Sequence, residues 1–153
     1  MSSVDENLEI VRQIDRAWNE RDWSSFGRLH AEDVFVRFSN PKGITGRVAH
    51  LAEAQNFLSA FPDHQIDFPY LYLFGEGDLV CSVFKSSGVQ SGPWKLPDGR
   101  LIPTTGKRLE MEMNIVSRVL DGEVAEKIVS YDMLGLLTRL GVIKLTEGTV
   151  KAA

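Results

Sequence analysis

The apolar residues of this chain follow two different periods, and the change falls at Pro62. Before it they recur three and four apart, the spacing of a helix with one buried stripe; after it they alternate, the spacing of a half-buried strand. Val4, Leu8, Val11, Ile14 and Trp18 give the first stripe, and Ser3 with Glu6 fits a capping box, so a helix is predicted from Ser3 to Arg21. A shorter helical piece carries Trp23, Phe26 and Leu29. Val34 to Phe38 reads as a brief strand ended by the turn-forming Asn40-Pro41-Lys42-Gly43. Arg47 to Phe61 is the second long helix, with Val48, Leu51, Ala54, Leu58 and Phe61 as its expected buried stripe and Pro62 as its stop.

Beyond Pro62 the alternation takes over. Ile66, Phe68, Tyr70, Tyr72 and Phe74 read as one strand, with Pro69 marking an edge or a bulge. Gly75-Glu76-Gly77-Asp78 turns the chain into a strand from Leu79 to about Gln90. The segment from Gly92 to Gly106 holds Pro93, Pro97 and Pro103 and is expected to be a mobile flap or an extended hairpin. Leu109, Met111, Met113 and Ile115 alternate with Glu110, Glu112 and Asn114, a strand with one wet face. Asp121-Gly122 is a tight hairpin signal, followed by a last strand from Glu123 to Tyr131 and a short helix from Met133 to Leu140 with Gly141 at its C-terminal cap. Helices first and hairpin-joined strands afterwards predict an α+β fold with helices on one face of an antiparallel-rich sheet. With 153 residues, no internal repeat and no linker, one domain over residues 1–153 is expected.

Composition narrows the function classes. The formal net charge is -4 and no Lys/Arg run stands out, so nucleic acid is not an expected partner. No stretch approaches the roughly 20 apolar residues of a membrane span, and the N-terminus lacks the form of a signal peptide, so a cytoplasmic location is expected. The lone Cys81 excludes an internal disulfide, and with three His residues no Cys/His metal site is expected. Cys81 lies in an apolar run, where a small buried thiol is the simple reading.

Several motifs resemble the SnoaL-like polyketide cyclases, within the fold group of nuclear transport factor 2, ketosteroid isomerase and scytalone dehydratase. They are Phe61-Pro62-Asp63, Gly77-Asp78 with Val80, Gly88-Val89-Gln90-Ser91-Gly92, Pro103-Thr104-Thr105-Gly106-Lys107-Arg108, the run Arg118 to Glu126, and Asp132-Met133-Leu134-Gly135-Leu136-Leu137 with Leu140-Gly141. The resemblance implies a cone: a strongly curved sheet wrapped against the N-terminal helices with an internal pocket. It implies no metal or organic cofactor, a small hydrophobic molecule as ligand and a homodimer. It also implies an Asp at the end of the last strand as general acid/base in an intramolecular aldol closure, the position of Asp132. Two departures are visible: the strand Met111 to Ile115 and the strand Gly88-Val89-Gln90 both lack the family's His.

On strict alternation Val124, Glu126, Ile128, Ser130 and Asp132 share one face of the last strand. With Asp132 facing the pocket, Ile128 becomes its apolar neighbour, Ser130 a donor and Glu126 a supporting carboxyl or the partner of an Arg or Lys. Burial raises a carboxyl pKa from about 3.9 toward the range where it serves as acid and base. Asp132 before Met133 is equally well placed as the N-cap of the closing helix. Met111, Met113 and Ile115 are expected to form a dry wall. Gln90 is a candidate to hold a substrate carbonyl, Trp94 to cover the pocket mouth and His64 to sit at its rim or in a solvated turn. His50 falls off the helix stripe and is expected at the surface, Trp18 in the core, and Tyr70 and Tyr72 in sheet packing. Two other classes remain open: a non-catalytic binding or dimerisation module, and an enzyme like the limonene-type epoxide hydrolases, where an Arg between two carboxylates activates water.

Overall fold

The computed structural model describes residues 3–38, 42–96 and 98–146. Asn40 and Pro41, read above as turn residues, and Pro97 of the proline-rich segment lie outside the described residues. The N-terminal helix α1 (Val4–Glu20) starts on the expected capping box: Ser3 accepts from the Glu6 amide, and Glu6 reaches back to Ser3. Then come α2 (Trp23–Arg28), β1 (His30–Arg37), β2 (Ile44–Thr45) and α3 (Arg47–Ala60). The remainder is β3 (Gln65–Ile66), β4 (Tyr72–Glu76), β5 (Leu79–Val89), β6 (Trp94–Lys95), β7 (Leu101–Ile102), β8 (Arg108–Leu120), β9 (Glu123–Tyr131) and α4 (Met133–Arg139).

The main sheet runs β2-β1-β9-β8-β5-β3, with β4 also on β5. Every pairing in it is antiparallel except β1 with β9, so the fold is α+β with a mixed, mostly antiparallel sheet. Asp121 and Gly122 turn β8 into β9 with φ of 51° and 80°, the left-handed pair that a tight two-residue hairpin requires. Helices α1, α2 and α3 cover the inner face, where Val11, Ile14, Phe26, Val34, Phe84, Ile115 and Val129 form one core cluster.

The strand predicted across Ile66–Phe74 is two strands, because Pro69 offers no amide to the ladder. The Asp67 amide bonds Lys85 O (2.8 Å) and the Leu71 amide bonds Val83 O (2.8 Å). Three residues are looped out between those bonds, and Tyr70 turns inward instead of following Tyr72 and Phe74 outward. The proline-rich segment is a small hairpin, β6-β7, docked rather than loose. Ser91 and Gly92 donate to Ala60 O, and Trp94 stands edge-on to both Phe57 and Phe61.

β9 departs from strict alternation in a way that decides the site. Its register with β8 runs Met113↔Tyr131, Ile115↔Val129, Ser117↔Lys127 and Arg118↔Glu126, then jumps to Val119↔Val124. Ala125 is thus an extra residue, a β-bulge, and one extra residue sends every later side chain to the opposite face. Val124 points inward, and so do Lys127, Val129 and Tyr131, not Ile128, Ser130 and Asp132.

Candidate functional site

A cavity of about 110 Å³ lies between the helices and the inner face of the sheet. Phe84, Met111, Met113, Ile115 and Val129 wall it from the strands, and Trp18, Phe26 and Phe57 from the helices. Trp94 of the docked hairpin and Phe38 complete the apolar lining, and His50, His64, Tyr131 and three charged residues supply its polar groups. Those three are Asp15 of α1, Glu53 of α3 and Lys127 of β9. Two carboxyls and one amine enclosed by aromatic and aliphatic side chains make a costly arrangement, since desolvation penalises every charge placed there.

Asp15 rides in the buried stripe of α1, and Tyr70 Oη donates to its Oδ2 at 2.8 Å. Burial pushes the Asp15 carboxyl up to about 6, against the pull of the Lys127 amine and the Tyr70 hydrogen bond. Glu53 accepts no hydrogen bond from any other described residue. Burial pushes it up from 4.5 to about 7, opposed by Lys127. Lys127 itself is lowered by burial, and the charges of Asp15 and Glu53 work the other way. Burial also pushes Tyr131 up to about 12, so it remains a neutral phenol. Asp15 and Lys127 border a second, water-sized space of about 10 Å³ with Ser82 and Ser117.

The histidines are neutral, each depressed chiefly by burial: His64 to about 4, His30 to about 3 and His50 well below its ordinary value. Their tautomers can be read from their partners. His64 Nδ1 accepts from Trp18 Nε1 (3.0 Å), so its proton is on Nε2, which is buried without a partner among the described residues. His30 Nδ1 donates to Phe26 O (2.7 Å), leaving Nε2 as acceptor toward Lys127 Nζ (3.4 Å). Among the described residues both ring nitrogens of His50 lack a hydrogen-bond partner.

Among the residues singled out from sequence, Met111, Met113, Ile115, Trp94 and His64 line this cavity. The others do not. Asp132 caps α4: its Oδ1 accepts from the Gly135 amide (2.8 Å), its side chain is 68% exposed and it does not line this cavity. Its expected place inside the pocket is corrected by the Ala125 bulge. For the same reason Ser130 is exposed, Ile128 lies on the outer face opposite Val116, and Glu126 pairs outside with Arg118 (3.4 Å). Gln90 is buried, but its amide is spent within the protein. It donates to Gly92 O and Pro103 O and accepts from Thr105 Oγ1 (2.6 Å), which ties the base of the hairpin.

Arg118 does stand between two carboxylates, Asp78 (2.7 Å) and Glu126 (3.4 Å). That trio is on the outer face and about 40% exposed, away from the cavity. His50 is buried rather than on the surface, and Tyr70 is a donor to Asp15 rather than mere packing. Cys81 is half-buried on the outer face, not in the core.

The sequence did carry faint signals for the missed residues. Asp15 is four residues after Val11 and three before Trp18, so the α1 stripe includes a charge. His50, Glu53 and Phe57 are spaced three and four apart, a second stripe of α3; Val48, expected inward, is 83% exposed. Among the described residues no group of His, Cys, Asp and Glu is arranged to hold a metal ion, and no helix is long and apolar enough to cross a membrane.

A curved, mostly antiparallel sheet covered by N-terminal helices around an internal apolar cavity defines the fold of the nuclear transport factor 2-like group. Residues 8–140 match the SnoaL-like polyketide cyclase family, and the chain belongs to it. Among solved structures it is similar to a candidate SnoaL-like polyketide cyclase from Jannaschia sp. CCS1, at 21% identity and TM-score 0.80 over 94% of this chain and 99% of that one. It is similar to AclR, a candidate hydroxylase from Streptomyces galilaeus, at 22% identity and TM-score 0.77 over 93% of this chain and 100% of that one. A third likeness is to IdmH, a candidate polyketide cyclase from Streptomyces antibioticus, at 24% identity and TM-score 0.69 over 88% and 98%. At these identities the structural likenesses carry the fold. No curated protein sequence matches the chain.

Proposed function

We propose that this chain is a cofactor-free enzyme that moves a proton on a small hydrophobic carbonyl compound, in the cyclase or isomerase class, with Glu53 as its acid/base group. The observation that carries the reading is a carboxyl raised to about 7 inside an apolar cavity, with no protein hydrogen bond among the described residues to hold it ionised. A general base works best when its pKa lies near the operating pH, since it must be ionised and yet take a proton readily. Glu53 takes the proton next to the carbonyl. The His64 Nε2–H, oriented by Trp18, donates to the carbonyl oxygen as it gains charge. One well-placed donor of this kind is worth about 3 kcal/mol of barrier. The protonated Glu53 then returns its proton to the new bond or alkoxide, the sequence an aldol-type closure needs. Asp15, held by Tyr70, shares the interior with Lys127, whose charge opposes the burial that raises Glu53.

A mostly apolar lining suits a ring-shaped or polyketide-like ligand better than a sugar or phosphate. The family membership and the fold support the same class. Exposed Phe74 and Val116, with half-buried Cys81 and Ile128 in the same cross-strand row, supply the outer-face surface for a homodimer, which light scattering tests. The proton-transfer reading is tested by solvent exchange. The full chain in D2O should catalyse deuterium incorporation next to the carbonyl of 2-tetralone, followed by NMR, and Glu53→Gln should lose that exchange. Binding of 2-tetralone with no catalysed exchange would give the pocket to ligand binding alone.

A further inference from the structure

Lys127 has a role to explain that proton transfer by Glu53 does not require. It is 7% exposed, it lines the apolar cavity, and among the described residues its Nζ has one hydrogen-bond partner, His30 Nε2 at 3.4 Å. No carboxylate pairs directly with it among the described residues. Desolvation makes a buried ammonium costly and lowers the Lys127 pKa, while the charges of Asp15 and Glu53 act the other way. When the amine is neutral, its surroundings leave it able to attack. His30 is locked with its proton on Nδ1 by Phe26 O, so Nε2 accepts one N–H of the amine and leaves the nitrogen lone pair free. The groups facing it are His30 from β1, His50 and Glu53 from α3, Asp15 from α1 and Tyr131 from its own strand.

We propose that Lys127 forms an imine with the carbonyl carbon of the cavity's ligand, so that the site works by amine catalysis. This rests on the reading above in taking a small carbonyl compound as the ligand and Glu53 as the proton carrier. The step balances without an oxidant or a metal. The Lys127 nitrogen forms a bond to the carbonyl carbon, and the oxygen becomes the hydroxyl of a carbinolamine. That oxygen leaves as water, carrying one proton from the nitrogen and one from the protonated Glu53, and the carbon–nitrogen double bond remains. Ionised Glu53 next takes a proton from the neighbouring carbon, and the electron pair moves into an enamine, the carbon nucleophile for an aldol-type closure. Water then reverses the first step and frees the product. A desolvated lysine is a recognised nucleophile toward carbonyl carbons for this reason.

The test uses the intact wild-type chain and 2,4-pentanedione, a small 1,3-diketone whose lysine adduct is stable enough to map. After incubation at pH 7 the protein is digested and each lysine scored by mass spectrometry. Free amine grows as a lysine's pKa falls, so Lys127, lowered by burial, should carry the adduct severalfold faster than exposed Lys85, Lys107 or Lys144. Lys127→Arg should lose the adduct, but the wild-type map stands whether or not that variant folds. Labelling of Lys127 no faster than of the exposed lysines overturns the proposal. The two readings fail separately. Labelled Lys127 with no catalysed proton exchange keeps the imine and removes the proton-transfer reading. Exchange that needs Glu53, with Lys127 unlabelled, does the reverse.

Discussion

The two faces of β9 carry neighbouring residues of one strand into opposite chemistry. Lys127, Val129 and Tyr131 enter the apolar cavity, whereas Glu126, Ile128 and Ser130 lie outside, and Asp132 follows them into water at the start of α4. The carboxyl of Asp132 accepts a backbone amide and caps a helix. Those of Asp15 and Glu53 lie across the cavity from the inner face of the strand and are pushed upward by burial. The residue type is nearly the same in each case, and the surroundings separate a stabilising cap from a proton carrier. One inserted residue, Ala125, decides which side chains meet which surroundings.

The comparison can be broken by moving charge across it. The largest effect is expected on catalysis. Glu53→Gln should lower the deuterium-exchange rate by about 10²- to 10⁴-fold, the usual worth of a positioned acid/base group, while Asp132→Ala should leave that rate unchanged. An equal loss in both variants would erase the distinction between the faces. Next comes stability. Val129→Asp places an unpaired carboxyl in the chamber and should cost more than about 3 kcal/mol, while Ser130→Asp one residue away should stay within about 0.5 kcal/mol. Chemical denaturation of the pair reads the face assignment directly.

A third effect depends on pH and has an unusual sign. Glu53 is raised from 4.5 to about 7 in the folded chain, so the fold binds its proton more tightly than the unfolded chain does. Its contribution is therefore fully present below about pH 4.5 and is lost as pH rises toward 7. Glu53→Gln removes that loss. The variant should be more stable than wild type at pH 8, by on the order of 2 kcal/mol, and the difference should close below pH 4.5. His64 acts in the opposite direction: lowered from 6.5 to about 4, it contributes stability above 6.5 that is lost as pH falls toward 4. Denaturation curves across pH 4 to 8 separate the two. The smallest effect is the helix cap, where Asp132→Ala should cost about 1 kcal/mol.

The fold was largely legible because the period change at Pro62, the Ser3 cap and the Asp121-Gly122 turn are local signals that structure had no reason to override. Half of the site was legible too. β8 runs without a bulge, so the alternation that put Met111, Met113 and Ile115 on one wall holds through the whole strand. The rest was hidden by two irregularities that alternation cannot reveal. The Ala125 bulge reversed the last strand, and the loop at Pro69 sent Tyr70 to Asp15. The phase of α3 was misjudged for another reason. His50 and Glu53 are polar, and a stripe read by hydropathy passes over the polar residues that a functional cavity draws inward.

The most direct measurement is the titration of the Glu53 carboxyl itself, by NMR of chain carrying ¹³C-labelled glutamate carboxyls, assigned with Glu53→Gln. A buried proton carrier should titrate at about 7, and its midpoint should move when 2-tetralone fills the cavity. A midpoint near the ordinary 4.5, indifferent to the ketone, would contradict the account.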